Sequence, residues 1–316
     1  MDLSIIISAY NEAESLPELF KRISDTLSSE NIKYEIIVVD DGSTDGTWRV
    51  VEECSAIYPI RATSFRRNYG KSAALFCGFD MAQGNLVLTM DADLQDGPEE
   101  IPDMIDMMNE KGYDLVSGWK KKRYDSKLTK NIPSKIYNAT ARKVTGIKLH
   151  DMNCGLKIYR KDVVKNIEVY GDMHRYIPYL AKNAGFSNIA EKVVHHAPRK
   201  YGKSKFGASR FINGFLDLLT LWFLSRFGKK PMHFFGLAGT ITFFIGFCTS
   251  IYIVIDKLYA QAHGLKFRAV TDQPLFYISL VALIIGIQLF LSGFIAEIVS
   301  RSGPERNSYK IKDKIE

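Results

Sequence analysis

The chain has 316 residues, 46% hydrophobic and 24% charged, and a formal net charge of +7, enough for two ordinary domains or one large domain with appendages. Charge is segregated: residues 1–60 carry 12 Asp/Glu against 4 Lys/Arg, and residues 119–230 carry 7 against 25. The basic half faces an anionic partner, and because it runs into long apolar stretches, lipid headgroups or a lipid phosphate fit it better than nucleic acid, which is excluded as the expected partner.

The first ten residues hold no basic leader and only a short apolar run, which reads as a strand and not as a secretory signal. Apolar runs at residues 3–8, 34–40, 60–64, 86–90 and 114–118 predict buried strands. Residues 15–27 place Leu16, Leu19, Phe20, Ile23 and Leu27 on one helical face, and residues 98–111 do the same with Ile101, Ile105 and Met108. Strand and helix alternation predicts an α/β fold, Rossmann-like, with a mostly parallel sheet covered on both sides. The turn after the first strand is Ser8-Ala9-Tyr10-Asn11-Glu12, not G-x-G-x-x-G. Gly70-Lys71-Ser72 resembles the end of a P-loop, but the earlier glycine position is Phe65. Dinucleotide enzymes and P-loop NTPases are therefore poor candidates. Asp40-Asp41-Gly42-Ser43 closes the second strand, where such sheets receive a ribose or base.

Residues 86–95, Leu-Val-Leu-Thr-Met-Asp-Ala-Asp-Leu-Gln, form an apolar strand ending in two carboxylates. Alternation along a strand predicts that Asp91 and Asp93 point the same way at the ligand-binding end of the sheet. Two such groups suit Mg²⁺ or Mn²⁺, which take their remaining ligands from water and a substrate's phosphates. A nucleotide diphosphate is the substrate class this predicts.

Beyond residue 119 the chain turns basic. Trp119-Lys120-Lys121-Lys122-Arg123 reads as the opening of a mobile loop, residues 134–145 as a helix, 154–159 and 191–196 as strands, and Tyr201-Gly202-Lys203-Ser204-Lys205-Phe206 as another loop. His195 and His196 fall on opposite strand faces, so they are not a ligand pair. His174 beside Arg175 is the better site candidate. Cys54, Cys77, Cys154 and Cys248 lack metal-ligand spacing, and free thiols in a reducing compartment account for them. Residues 211–227, rich in Leu, Phe and Trp between Arg210 and Arg226, read as an interfacial helix.

Residues 232–255 and 273–296 are each 24 residues long without Asp, Glu, Lys or Arg. At about 36 Å each, they are long enough to cross a hydrocarbon core of about 30 Å. Arg226, Lys229 and Lys230 before the first and Arg301, Arg306, Lys310, Lys312 and Lys314 after the second place both termini on the cytosolic side of the inner membrane, against Lys257, Lys266 and Arg268 in the connecting loop. Gly236 and Gly239 permit close helix packing, within the chain or in a homo-oligomer. The expected division is a cytosolic catalytic domain over 1–205, an amphipathic segment over 206–230, two transmembrane helices over 231–300 and a basic tail over 301–316.

Ala9-Tyr10-Asn11-Glu12, Asp40-Asp41-Gly42-Ser43, Arg67-Asn68-Tyr69-Gly70-Lys71, Asp91-Ala92-Asp93-Leu94-Gln95, Asp151-Met152-Asn153-Cys154-Gly155, His174-Arg175 and the run from Arg199 to Lys205, in this order, resemble the polyprenyl-phosphate glycosyltransferases of glycosyltransferase family 2. The two C-terminal spans are similar to the bactoprenol glucosyltransferase subgroup. The resemblance implies a GT-A fold in which Tyr10, Glu12, Asp40, Lys71 and Asp91 serve the nucleotide and Asp91, Asp93 and Gln95 the metal. It further implies that Arg123, Arg175, Arg199, Ser204 and Lys205 hold phosphates of the acceptor. Asp96-Gly97-Pro98, where members often have two prolines, is expected to loosen the turn without removing a ligand.

The implied reaction is inverting transfer of one sugar from a nucleotide-diphosphate sugar, with UDP-glucose expected and GDP-mannose the alternative, to undecaprenyl or another polyprenyl phosphate. A phosphate monoester's second pKa is about 6, so the acceptor needs no strong base, and alignment and charge stabilisation carry the work. Asp93 and Arg123 are the catalytic candidates, with Asp151 as a base or as an orienter of Arg or phosphate. Arginine's planar fork ranks Arg123 and Arg199 above the lysines. No Q-x-x-R-W motif is present, which disfavours a processive synthase. A non-catalytic adaptor for a lipid-sugar flippase is the reading from a different class, and intact Asp91, Asp93 and Gln95 count against it.

Overall fold

The computed structural model describes residues 1–121, 132–198, 200–201, 216, 219–220, 222–223, 226–227, 230–266 and 268–302, in two compact units, Met1–Leu218 and Leu219–Glu316. The expected interfacial helix therefore lies largely outside the described residues, and the basic tail does so from residue 303.

In the first unit the strands are β1 (Leu3–Ala9), β2 (Tyr34–Asp40), β3 (Ile60–Ser64), β4 (Leu86–Asp91), β5 (Leu115–Trp119), β6 (Lys157–Arg160) and β7 (Ile189–Val193). They form one sheet in the order β3-β2-β1-β4-β6-β5-β7, parallel except for β6, which runs against both β4 and β5. Burial on both faces explains why β1 and β2 read as unbroken apolar runs. Helices α1 (Leu16–Ser29), α2 (Thr47–Ser55), α3 (Lys71–Met81) and α4 (Ile101–Lys111) connect the first five strands, and α5 (Ile132–Thr145), α6 (Lys161–Asn166) and α7 (Ile177–Asn183) follow. Leu16, Leu19, Phe20, Ile23 and Leu27 of α1 are fully buried, as their spacing predicts. A 3-10 turn at Pro98–Glu100 opens α4, which ends at Gly112 in the left-handed region at φ 62°.

Three expectations shift. β6 begins at Lys157, not at 154, and β7 ends at Val193, so His195 and His196 lie just past it. Even there their environments diverge, with His195 exposed and His196 buried. Trp119 and Lys120 do not open a mobile loop: Trp119 ends β5, and Lys120 is drawn into a buried ion pair with Asp96. A run of lysines looks solvated in sequence, but one of them has a carboxylate waiting inside.

The second unit contains two long helices, Pro231–Ala262 and Pro274–Ser302, both long and apolar enough to cross a membrane. They pack antiparallel, and glycines set the approach. A Cβ on Gly239 would lie 2.7 Å from Gly286 O, one on Gly286 would lie 2.6 Å from Phe243 N, and one on Gly246 would lie 2.8 Å from Ser279 O. Ser250 donates to Ser279 across the pair at 3.0 Å. Leu237, Phe244, Ile245, Ile278 and Ile285 face outward and exposed, the apolar sheath that a lipid environment would cover.

Candidate active site

The parallel strands end in register. Ala9 pairs with Asp40 and Ser8 with Asp91, so the last residues of β2 and β4 flank the end of β1, two strand spacings or about 10 Å apart. Tyr10 leaves the sheet between them. This is the carboxyl edge where open α/β sheets bind ligands.

On the β2 side, neutral donors satisfy the carboxylates. Asp40 Oδ1 accepts the backbone N–H of Ser43 at 3.1 Å and also its hydroxyl, and Asp40 Oδ2 accepts Ser64 Oγ at 2.8 Å. Asp41 accepts the backbone N–H groups of Tyr69 at 2.7 Å and Gly70 at 2.9 Å, tying the loop that launches α3. Burial raises its pKa, and neighbouring Asp40 adds to the rise. Gly42, at φ 70°, is required here, since a Cβ would come within 2.4 Å of the Arg67 carbonyl carbon. In the facing turn, Glu12 Oε2 accepts Ser15 Oγ at 3.0 Å, while the Glu12 backbone N–H donates to Thr47 Oγ1 at 2.8 Å.

On the β4 side, lysines do this work. Lys71, the first residue of α3, donates to Asp91 Oδ1. Burial pushes the Asp91 pKa up, but Lys71 first, then Lys120 and Lys157, outweigh it and hold the carboxyl well below the usual carboxylate range. Lys157 enters from β6, buried, with its ammonium donating to Cys154 O. Its pKa is lowered by burial and by repulsion from Lys71. The Cys154 thiol is pushed up to about 12, chiefly by burial, so it is an inert side chain. Asp151 is buried in the same patch and accepts the Asn153 backbone N–H at 3.1 Å.

The 3-10 turn Met173–Tyr176 closes this wall. Ser72 Oγ accepts the His174 backbone N–H at 3.1 Å and lies within hydrogen-bond distance, 3.0 Å, of its Nδ1. Burial, then Lys71, Arg175 and Lys157, lower the imidazole's pKa well below its ordinary value, so it is neutral at pH 7. Arg175 is 6% exposed, with Asp172 its ion partner at 3.9 Å. Arg123, Arg199, Ser204 and Lys205 lie outside the described residues.

The strand alternation expected for Asp91 and Asp93 does not operate. β4 ends at Asp91, and residues 92–94 turn, with Leu94 at φ 60° and Asp93 Oδ1 accepting the Gln95 backbone N–H at 3.2 Å. Among the described residues no three His, Cys, Asp or Glu side chains form a metal cluster. Asp91, Asp93 and Gln95 could offer two carboxylates and an amide, a set that would suit an ion drawing its other ligands from phosphates and water. Gly155 packs directly against the Asp91 carboxylate, since a Cβ there would lie 2.3 Å from Asp91 Oδ2.

Sequence reasoning missed Lys157 and Lys120 as site residues, and it named Asp41 and Gly155 only as members of motifs. Lys157 did carry a signal, as the lone cation in the run Leu156-Lys157-Ile158-Tyr159. Asp96 also overturns its expectation. It does not loosen the turn: it is fully buried, paired with Lys120 at 2.8 Å, and bridged through its backbone to His196.

A family model described as Glycosyl transferase family 2 matches residues 4–168. The chain is 34% identical over 307 residues to the dodecaprenyl-phosphate galacturonate synthase of Rhizobium johnstonii, spanning 96% of this chain and 88% of that protein. It is 32% identical over 301 residues to the undecaprenyl-phosphate 4-deoxy-4-formamido-L-arabinose transferase of Aeromonas hydrophila, spanning 95% and 88%. Among solved structures, mannosyl-3-phosphoglycerate synthase from Rubrobacter xylanophilus matches with a TM-score of 0.58 at 15% identity, over 72% of this chain and 75% of that one. Glucosyl-3-phosphoglycerate synthase from Mycobacterium tuberculosis, in complex with Mg²⁺ and uridine diphosphate, matches with 0.54 at 19% identity, over 69% and 79%. These structural likenesses establish the GT-A fold.

Proposed function

The chain belongs to glycosyl transferase family 2, alongside polyprenyl-phosphate glycosyltransferases, and from that premise we propose that it transfers a single sugar from a nucleoside-diphosphate sugar to a polyprenyl phosphate at the cytosolic membrane face. The observation that carries this reading is the divided carboxyl edge: hydroxyl- and amide-bound carboxylates at β2, and Asp91 set among Lys71, Lys120 and Lys157 at β4.

Tyr10, Glu12 and Asp40 hold the nucleoside. Asp40 retains lone pairs for a ribose or base donor after its bonds to Ser43 and Ser64. Lys71 and Lys157 neutralise the diphosphate. Asp91, Asp93 and Gln95 would hold Mg²⁺ or Mn²⁺, which when bound supplies Lewis-acid stabilisation of the departing diphosphate. The acceptor's phosphate oxygen attacks the anomeric carbon. The bond from that carbon to the diphosphate oxygen breaks, and the nucleotide leaves with the electron pair. Configuration inverts, so an α-linked donor gives a β-linked lipid phosphate sugar. Arg123, Arg175, Arg199, Ser204 and Lys205 offset repulsion between the two anionic substrates. Buried Asp151, beside Lys157, acts as an orienting group and not as the base, which a dianionic acceptor makes unnecessary.

UDP is the preferred nucleotide. Glucose is the sugar first expected, and the relatives named above carry galacturonate and a formamido-arabinose, so the donor screen takes UDP-linked forms of all three beside UDP-GlcNAc and GDP-mannose. The assay follows radiolabelled sugar into undecaprenyl phosphate with Mg²⁺ or Mn²⁺, in wild type and Asp93→Ala. Equal activity in the two proteins removes the metal seat from this reading. No transfer from any donor favours the adaptor.

A further inference from the structure

We propose that the buried Asp96–Lys120 ion pair is a positioning device that joins the donor-side turn to both basic segments, so that it sets metal–nucleotide affinity and acceptor KM together. The inference rests on the donor and acceptor assigned above.

Asp96 directly follows Gln95 and is completely buried. Lys120, 12% exposed, reaches its Oδ1 at 2.8 Å from the end of β5. A third segment closes on the same turn. The backbone of Asp96 bridges to His196, Ala197 N donates to Gln95 O at 2.9 Å, and Gln95 Nε2 donates back to Ala197 O at 3.4 Å. His196 packs beside the pair, with Nδ1 3.7 Å from Asp96 Oδ1. Lys120 is three residues before Arg123 and Ala197 is two before Arg199. The buried pair and the backbone bonds beside it together tie the turn bearing Asp93 and Gln95 to Lys120, at the root of one basic segment, and to His196 and Ala197, on the approach to the other.

Stability alone does not explain charge at this place. Desolvating a carboxylate and an ammonium costs several kcal/mol each, and apolar residues of similar volume are often as stable or more so. A charged pair adds directionality: only one register of the β5 end against the turn brings Nζ to Oδ1, whereas an apolar contact tolerates sliding. Among the described residues neither carboxylate oxygen of Asp96 has a partner in hydrogen-bond geometry, so its charge is met by the ion contact with Lys120 at 2.8 Å, with His196 Nδ1 3.7 Å away.

The test uses the full-length protein in detergent and compares wild type, Asp96→Asn, Lys120→Met and the double variant. Three quantities are read: melting temperature, Mn²⁺–UDP affinity by titration calorimetry, and KM for undecaprenyl phosphate. Each single variant leaves one buried group without its partner and melts lower. The double variant, with both charges gone, recovers the wild-type melting temperature, yet its Mn²⁺–UDP affinity and acceptor KM both stay about tenfold worse, the scale of one lost orienting contact. A double variant that recovers both constants along with its stability overturns the inference and leaves the pair as packing. So does a variant that shifts one constant and not the other. Wild-type protein that binds no Mn²⁺–UDP overturns the donor reading itself, and this inference falls with it.

Discussion

The two ends of one sheet edge manage negative charge in opposite ways. At β2, Asp40 and Asp41 are satisfied by hydroxyls and backbone N–H groups, which leave their charge in place. Around β4, Asp91, Asp96 and Asp151 sit among Lys71, Lys120, Lys157 and Arg175, so these carboxylates are met by cations. The first arrangement suits a neutral ligand that donates hydrogen bonds, such as a ribose or base. The second suits phosphates. On the function proposed for this chain, a single edge would sort a nucleoside diphosphate into its two parts by the kind of donor placed on each carboxylate.

The comparison breaks most visibly at Asp93. Asp93→Ala is expected to lower transfer by at least about a hundredfold, the scale of losing Lewis-acid stabilisation, and to abolish Mn²⁺–UDP binding by calorimetry. Lys157→Met comes next, lowering kcat by about thirtyfold with little change in nucleoside affinity, because the lost cation acts on charge that develops late. If uridine binding weakens as much as turnover, the two ends are not separate. Arg199→Ala should raise acceptor KM about tenfold, one charge-assisted contact, while donor affinity holds; equal loss in nucleotide titrations would reassign it to the donor side.

The smallest effect belongs to Asp41. Asp41→Asn keeps one acceptor for the Tyr69 and Gly70 amides and should cost about 1–2 kcal/mol, read as a melting temperature lower by several degrees. Its pH dependence carries a definite sign. Because the folded pKa lies above the unfolded value of about 3.9, the wild-type protein loses stability as pH rises through that interval, and the asparagine variant lacks this loss. Melting curves from pH 4 to 7 with equal slopes in both proteins would show that the neutral donors at β2 offset burial fully.

Much of this fold was legible because strand and helix periods are local. The first four predicted strands match the observed ones to within one residue at each end, and the buried face of α1 falls where its apolar spacing puts it. Motif residues such as Asp40, Lys71 and Asp91 reach the edge because each sits at a strand end or helix start, positions that short-range pattern defines. Lys157 escaped because nothing local says that a lysine in a four-residue strand faces inward. Asp96 escaped because its partner lies 24 residues away, inside a run of lysines.

By itself, the amino-acid sequence determined the alternation of β and α elements, the acidic and basic halves, the two apolar stretches, and the order of motifs that marks a polyprenyl-phosphate glycosyltransferase. Only the tertiary structure decided which charges meet. The antiparallel insertion of β6 between β4 and β5 carries Lys157 and Gly155 to Asp91, and the end of β5 brings Lys120 to Asp96. Composition counts charges, but their effect depends on distance and burial, and long-range strand pairing sets both.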